Sequence, residues 1–167
     1  MLLILKQKLQ WEKLSYQIIK ENGWYFSHIR GDFNTISTTE IIALAKANTY
    51  FENLNACLLG LSVDSNASHL AWLYNIYCTT GIVVPFPIIA DKSAKIARQY
   101  GMIATDVSNT ETVRNVFIID DKGKVRTILV YPMDVGRWIP EILRLVKTLQ
   151  VADSNNVFEG HLPKTSS

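Results

Sequence analysis

The chain has 167 residues, enough for one domain that buries about two-thirds of its unfolded surface. Hydrophobic residues make up 48% of it and charged residues 19%, a globular balance that excludes a disordered chain. The net charge of +2 comes from basic residues scattered along the sequence, so no nucleic-acid footprint is expected. The opening Leu-Leu-Ile-Leu run is too short for a signal segment, and no apolar stretch approaches membrane-spanning length. The expectation is a cytoplasmic protein with no membrane partner.

Leu9, Trp11, Leu14 and Ile18 recur at helical spacing and predict a helix over 7–21, ending at Asn22-Gly23. Trp24 to His28 reads as a short strand. Leu44, Ala47, Phe51 and Leu54 line one face of a second helix, and Ala56 to Val63 forms the next strand, ending at Asp64-Ser65. Ser68 to Tyr77 is helical, with His69, Trp72 and Ile76 on one face. Pro85 to Ala90 gives a strand that can begin with proline but not carry one centrally. Ser93 to Tyr100 is a short helix closed by Gly101.

Two β-rich runs, Val113–Asp120 and Val125–Tyr131, flank Asp-Lys-Gly-Lys and predict an antiparallel hairpin. A last helix follows over about Arg137 to Leu149, and the chain after Ala152 is polar enough to fray. The order is α/β and thioredoxin-like: a parallel core with a hairpin added, a central mixed sheet flanked by helices. One domain spans residues 1–150, with 1–23 as an atypical segment, and 151–167 is a short polar tail.

The two cysteines lack any C-x-x-C or metal-ligand spacing, and no metal or cofactor is implied. Cys57 lies in a strand and reads as a small core residue; Cys78 ends a helical pattern and is the better candidate for a redox thiol. His69 reads as a packed surface histidine, Asp64 as a turn former, and Trp24, Tyr25 and Phe26 as core strand residues. Ser37 and Glu40 form S-x-x-E directly before an apolar run, the pattern of a capping box, so Ser37 is expected to cap the second helix.

From about Trp24 to Gln150 the sequence resembles the peroxiredoxins, the alkyl hydroperoxide reductase and thiol-specific antioxidant family, and most of all their one-cysteine branch. The resemblance is carried by F-S-H, by D-F with S-T-T-E, by L-S-V-D-S with S-H-L-A-W, and by V-P-F-P-I-I-A-D, G-M, V-R-N-V-F-I-I-D and Y-P-M-D-V-G-R. It implies thiol-dependent reduction of hydrogen peroxide and alkyl hydroperoxides, a thiol reductant as partner, and a homodimer or higher homo-oligomer. Arg114 and Arg137 match the family's two site arginines, and Glu40 matches the glutamate that orients the first. His28 matches a histidine lining the site.

The departures fall on the chemistry. Ser37 stands where the family has its peroxidatic cysteine and Asn34 where it has threonine, and no proline precedes Pro85. A thiolate forms near neutral pH, whereas a serine hydroxyl keeps its proton unless a general base removes it. His28 is the one candidate base close in sequence. The chain is therefore expected to be an impaired peroxidase, a pseudoenzyme with a structural or binding role. That role is a partner for an active relative, a holdase-like scaffold, or a site retaining a small oxygenated ligand at Arg114. Two rivals are a working peroxidase in which serine was introduced for the nucleophile, and a chain in which Cys78 has become the reactive thiol. The ends differ from the family as well: a helix replaces its opening hairpin, and the chain ends about where a C-terminal arm would begin.

Overall fold

The computed structural model describes residues 23–28, 32–101, 114–132 and 135–155, with the backbone alone for 23–28 and 155. The expected helix over 7–21 and the tail beyond 155 lie outside the described residues.

The elements are β1 (Gly23–His28), α1 (Thr35–Glu52), β2 (Ala56–Ser62), α2 (Asn66–Thr80), β3 (Ile88–Ala90), α3 (Lys95–Gln99), β4 (Arg114–Ile119), β5 (Val125–Tyr131) and α4 (Ile139–Asn155). Five strands form one sheet in the order β3-β2-β1-β4-β5. β1 and β2 pair in parallel, as do β2 and β3, while β4 runs antiparallel to both β1 and β5. The thioredoxin-like mixed sheet is as expected. β4 is an inner strand; β5 alone forms that edge.

Alternation along the strands sorts side chains into two cores. On one face Ala56, Leu58, Val116 and Ile118 meet Ile41, Leu44 and Phe51 of α1, Trp72 and Ile76 of α2, and Ile139, Ile142 and Val146 of α4. On the other, Leu59, Leu61 and Phe117 meet Ala94 and Ala97 beside α3.

The hairpin turn is organised by Asp120. Its Oδ1 accepts from the backbone N–H of Lys122 at 3.0 Å and Lys124 at 2.8 Å, its carbonyl accepts from Gly123, and its N–H donates to the carbonyl of Lys124. Gly123 takes φ 76°, a left-handed conformation that glycine enters without a Cβ penalty.

Several element boundaries differ from expectation: α2 runs over Asn66–Thr80 rather than Ser68–Tyr77, and β3 starts at Ile88 rather than Pro85. α4 starts at Ile139 because the Arg137 N–H is spent on Glu40, and Pro140 fits a first turn, where its missing donor is not needed. It runs to Asn155 rather than stopping at Leu149. Arg126 of β5 holds Asp153 at 2.6 Å, docking a last turn that looks too polar to persist. α1 begins at Thr35 with Asn34 as its cap, so Ser37 is not the cap. Among the described residues, no helix is long and apolar enough to cross a membrane.

Candidate functional site

The site forms where the loop after β1 turns into α1. Phe33 has φ 59°, a left-handed backbone that costs a bulky residue about 1–3 kcal/mol and persists only where its neighbours enforce it. On its N-terminal side, Asp32 donates its N–H to Asp64 Oδ2 at 2.7 Å, and both of its carboxylate oxygens lie 2.8 Å from His69 Nδ1. On its C-terminal side, Asn34 Oδ1 accepts from the N–H groups of Ile36 at 3.0 Å and Ser37 at 3.2 Å. Asparagine is among the strongest helix caps because its short side chain reaches these otherwise unpaired amides.

Ser37 and Glu40 therefore sit on the first turns of α1, on the stripe that continues through Ile41 and Leu44 into the core. Ser37 is 3% exposed. Glu40 does not complete a capping box, as the S-x-x-E pattern suggested. Its Oε1 accepts the Arg137 backbone N–H at 2.6 Å and pairs with Arg114 Nη2, while its Oε2 accepts from Arg137 Nη1 at 2.7 Å. Arg114 projects from the first position of β4 and Arg137 from the segment before α4, so one carboxylate joins three elements. Buried charges persist only when paired and hydrogen-bonded, and this trio meets that condition.

Several contributing residues carry no sequence signal for the role. Trp72 Nε1 donates to Thr38 Oγ1 at 3.0 Å, and Thr38 Oγ1 donates to the Asn34 carbonyl at 2.8 Å. Ser62 Oγ donates to Asp64 Oδ2 at 3.2 Å, so Asp64 is a bridging acceptor as well as a strand end. His69 is buried at 4% exposure rather than a surface residue, because Asp32 satisfies its Nδ1. Tyr131 stands close enough to Arg137 and Glu40 to feel their charges. Burial pushes its phenol above the ordinary tyrosine value, against the opposing pull of Arg137, so the hydroxyl stays protonated. Asn115 gives its carbonyl to Arg137 Nη2 at 3.5 Å, a weak contact.

The cysteines lie elsewhere. Cys57 is near the N-terminal end of β2, away from the strand's Asp64 end, and is half-buried. Burial and then the charge of Glu52 raise its thiol above the ordinary cysteine value, which opposes thiolate formation. Cys78 is exposed near the C-terminal end of α2, about 14 Å along the helix axis from His69 at roughly 1.5 Å per residue. The structure thus brings Ser37, Asn34, Glu40, Arg114 and Arg137 together and leaves Cys78 apart. The side chain of His28 lies outside the described residues. Among the described residues, no group of three or more His, Cys, Asp or Glu is placed to hold a metal ion.

The chain is similar to known proteins in sequence and fold. The model of the AhpC/TSA family matches residues 4–128. The chain belongs to the AhpC/TSA family. Peroxiredoxin 2 of Caldanaerobacter subterraneus is 54% identical over 132 residues, covering 79% of this chain and 59% of the relative. Peroxiredoxin of Aquifex aeolicus is 51% identical over 132 residues, with coverage of 79% and 59%. The chain thus spans about three-fifths of the length of these curated relatives. Among solved structures, a yeast mitochondrial 1-Cys peroxiredoxin superposes with a TM-score of 0.78 at 31% identity, over 91% of this chain and 75% of that one. A cysteine-to-serine mutant of peroxiredoxin 6 from Arenicola marina gives 0.77 at 28%, over 91% and 76%. The AhpC/TSA match begins at residue 4 and so includes most of the segment read as atypical from sequence.

Proposed function

We propose that this peroxiredoxin-family chain does not turn over peroxide as it stands, and that it serves a structural or ligand-holding role. The observation that carries this reading is the buried hydroxyl of Ser37 on the first turn of α1, with both thiols elsewhere. A hydroxyl cannot pass through the sulfenic acid stage on which a thiol peroxidase depends. Asn34 adds a second obstacle. Its side chain already accepts from the Ser37 amide, one of the N–H groups that a peroxide oxygen would need. Where the ligand is concerned, the reading is a small oxygenated molecule held at Arg114.

A second reading is favoured by the trio Glu40, Arg114 and Arg137, whose ion pairs are in place one turn along α1 from Ser37. On this reading the chain is a thiol peroxidase silenced at its nucleophile alone. Hydrogen peroxide consumption under excess dithiothreitol separates the two. We expect the chain as given and Ser37→Cys to be no faster than dithiothreitol itself, and Ser37→Cys combined with Asn34→Thr to gain activity. Rapid turnover by Ser37→Cys alone establishes the second reading. Activity lost on Cys78→Ser alone would instead make that thiol the nucleophile.

The same proposal includes a homodimer joined through β5. That strand is a sheet edge carrying exposed Ile128 and Val130, and an edge of this kind invites pairing with a second copy. Two free thiols suit a reducing compartment such as the cytoplasm.

A further inference from the structure

The turn at Phe33 needs explaining, because its own side chain does not hold it there. Phe33 is 55% exposed, so packing contributes little to keeping this residue left-handed. The conformation is imposed from both sides by one face of α2. His69 takes Asp32, the residue before Phe33; one helical turn later, Trp72 takes Thr38, which in turn holds the carbonyl of Asn34, the residue after it. The two hooks differ in kind. The tryptophan contact is a neutral hydrogen bond, whereas His69 meets a carboxylate whose side chain is only 2% exposed.

The two nitrogens of His69 are also unequal. Nδ1 lies 2.8 Å from each carboxylate oxygen of Asp32, and Nε2 is buried with no hydrogen-bond partner among the described residues. A carboxylate accepts, so Nδ1 carries a hydrogen. All the polar work of this imidazole is therefore done through one atom.

We propose that His69 is the positioning residue of the site: through Nδ1 it fixes Asp32, and thereby sets the start of α1, which carries Ser37 and, one turn on, the Glu40 that pairs with Arg114 and Arg137. The proposal rests on the reading above for its functional meaning only. Its test measures backbone order without peroxide, so it can fail while that reading stands, and the reverse.

The test uses three substitutions and amide hydrogen exchange at Ile36 to Thr39. An asparagine places an amide donor where Nδ1 stands. A glutamine places its amide where Nε2 stands, and a leucine offers neither. His69→Asn should leave exchange within about twofold of the parent, while His69→Gln and His69→Leu should speed it about tenfold or more, with the amides of β2 unchanged. Equal protection in all three variants, or a loss confined to global stability, would reduce His69 to core packing and overturn the proposal. Equal loss in His69→Asn and His69→Gln would overturn it as well. Nitrogen-15 shifts of the imidazole in the unsubstituted chain supply a check that needs no variant. A hydrogen found on Nε2 in place of Nδ1 sinks the proposal.

Discussion

Arg137 grips Glu40 twice, through its backbone N–H to Oε1 at 2.6 Å and its Nη1 to Oε2 at 2.7 Å. A backbone donor cannot be supplied by another side chain, so the segment before α4 is registered on α1 to within a residue. Arg114 completes the arrangement from β4. Removing the shared carboxylate takes an ion-pair partner from two buried guanidiniums. Glu40→Ala should therefore destabilise the fold by about 3–5 kcal/mol, read as a lowered urea midpoint. Arg137→Lys should also lower it, because an ammonium is a point charge without the planar fork of a guanidinium.

The cap makes a smaller and more local contribution. Asn34→Ala leaves the Ile36 and Ser37 amides without their acceptor and should cost about 1 kcal/mol, whereas Asn34→Asp should cost little. Thermal unfolding of the three proteins decides it. An equal loss in both variants would mean that Asn34 acts by something other than its Oδ1.

Trp72 and Thr38 offer a pairwise measurement. Trp72→Phe and Thr38→Val each remove one partner of the 3.0 Å contact, and each also disturbs packing. A double-mutant cycle cancels the packing terms and should leave a coupling of about 0.5–1.5 kcal/mol. A coupling of zero would mean the hydrogen bond contributes nothing net.

Stability should respond to acid through α4. The hydrogen bond from Arg126, the largest cause, holds the Asp153 carboxyl below the ordinary aspartate value. Its folded-state pKa is thus lower than its unfolded one. The contribution is fully present above the unfolded value of about 3.9 and is lost as pH falls through the lower folded value. Asp153→Asn should lower the urea midpoint slightly at pH 7, and the difference from the parent should shrink as pH falls below the unfolded value. Because Asp153 is exposed, salt should weaken the difference at pH 7.

The thiols should separate by reagent. Iodoacetamide at pH 8 should label the exposed Cys78 first, while Cys57, half-buried and held above the ordinary cysteine value, lags. Peptide mass mapping over time gives the order directly, and simultaneous labelling would contradict the assigned burial.

Much of this architecture is legible in the amino-acid order, and the reason is physical. Hydrophobic period is local, so the stripe His69, Trp72, Ile76 and the hairpin around Asp120 are visible in short windows. The family motifs also single out Glu40, Arg114 and Arg137 as one group. What cannot be read is the use to which a polar side chain is put across distance. Ser37 and Glu40 spell a capping box, yet Glu40 is drawn away by two arginines distant in sequence, and Asn34 does the capping. Likewise nothing near His69 in the chain announces Asp32. The end of α4 eluded the pattern because its last turn is held by an ion pair to β5 rather than by an apolar stripe.

The placing of β1 at the middle of the sheet bears on how the chain reaches this state. Its two neighbours lie far apart in the chain: Trp24 pairs with Cys57 on one side and with Ile119 on the other. The β4–β5 hairpin closes over a few residues and can form within microseconds, but β1 can be enclosed only after β4 has been made. Until then the edge of β1 that faces β4 is unpaired. Of the pairings in the sheet, β1 with β4 spans the longest stretch of chain, so its closure carries the largest loop-entropy cost.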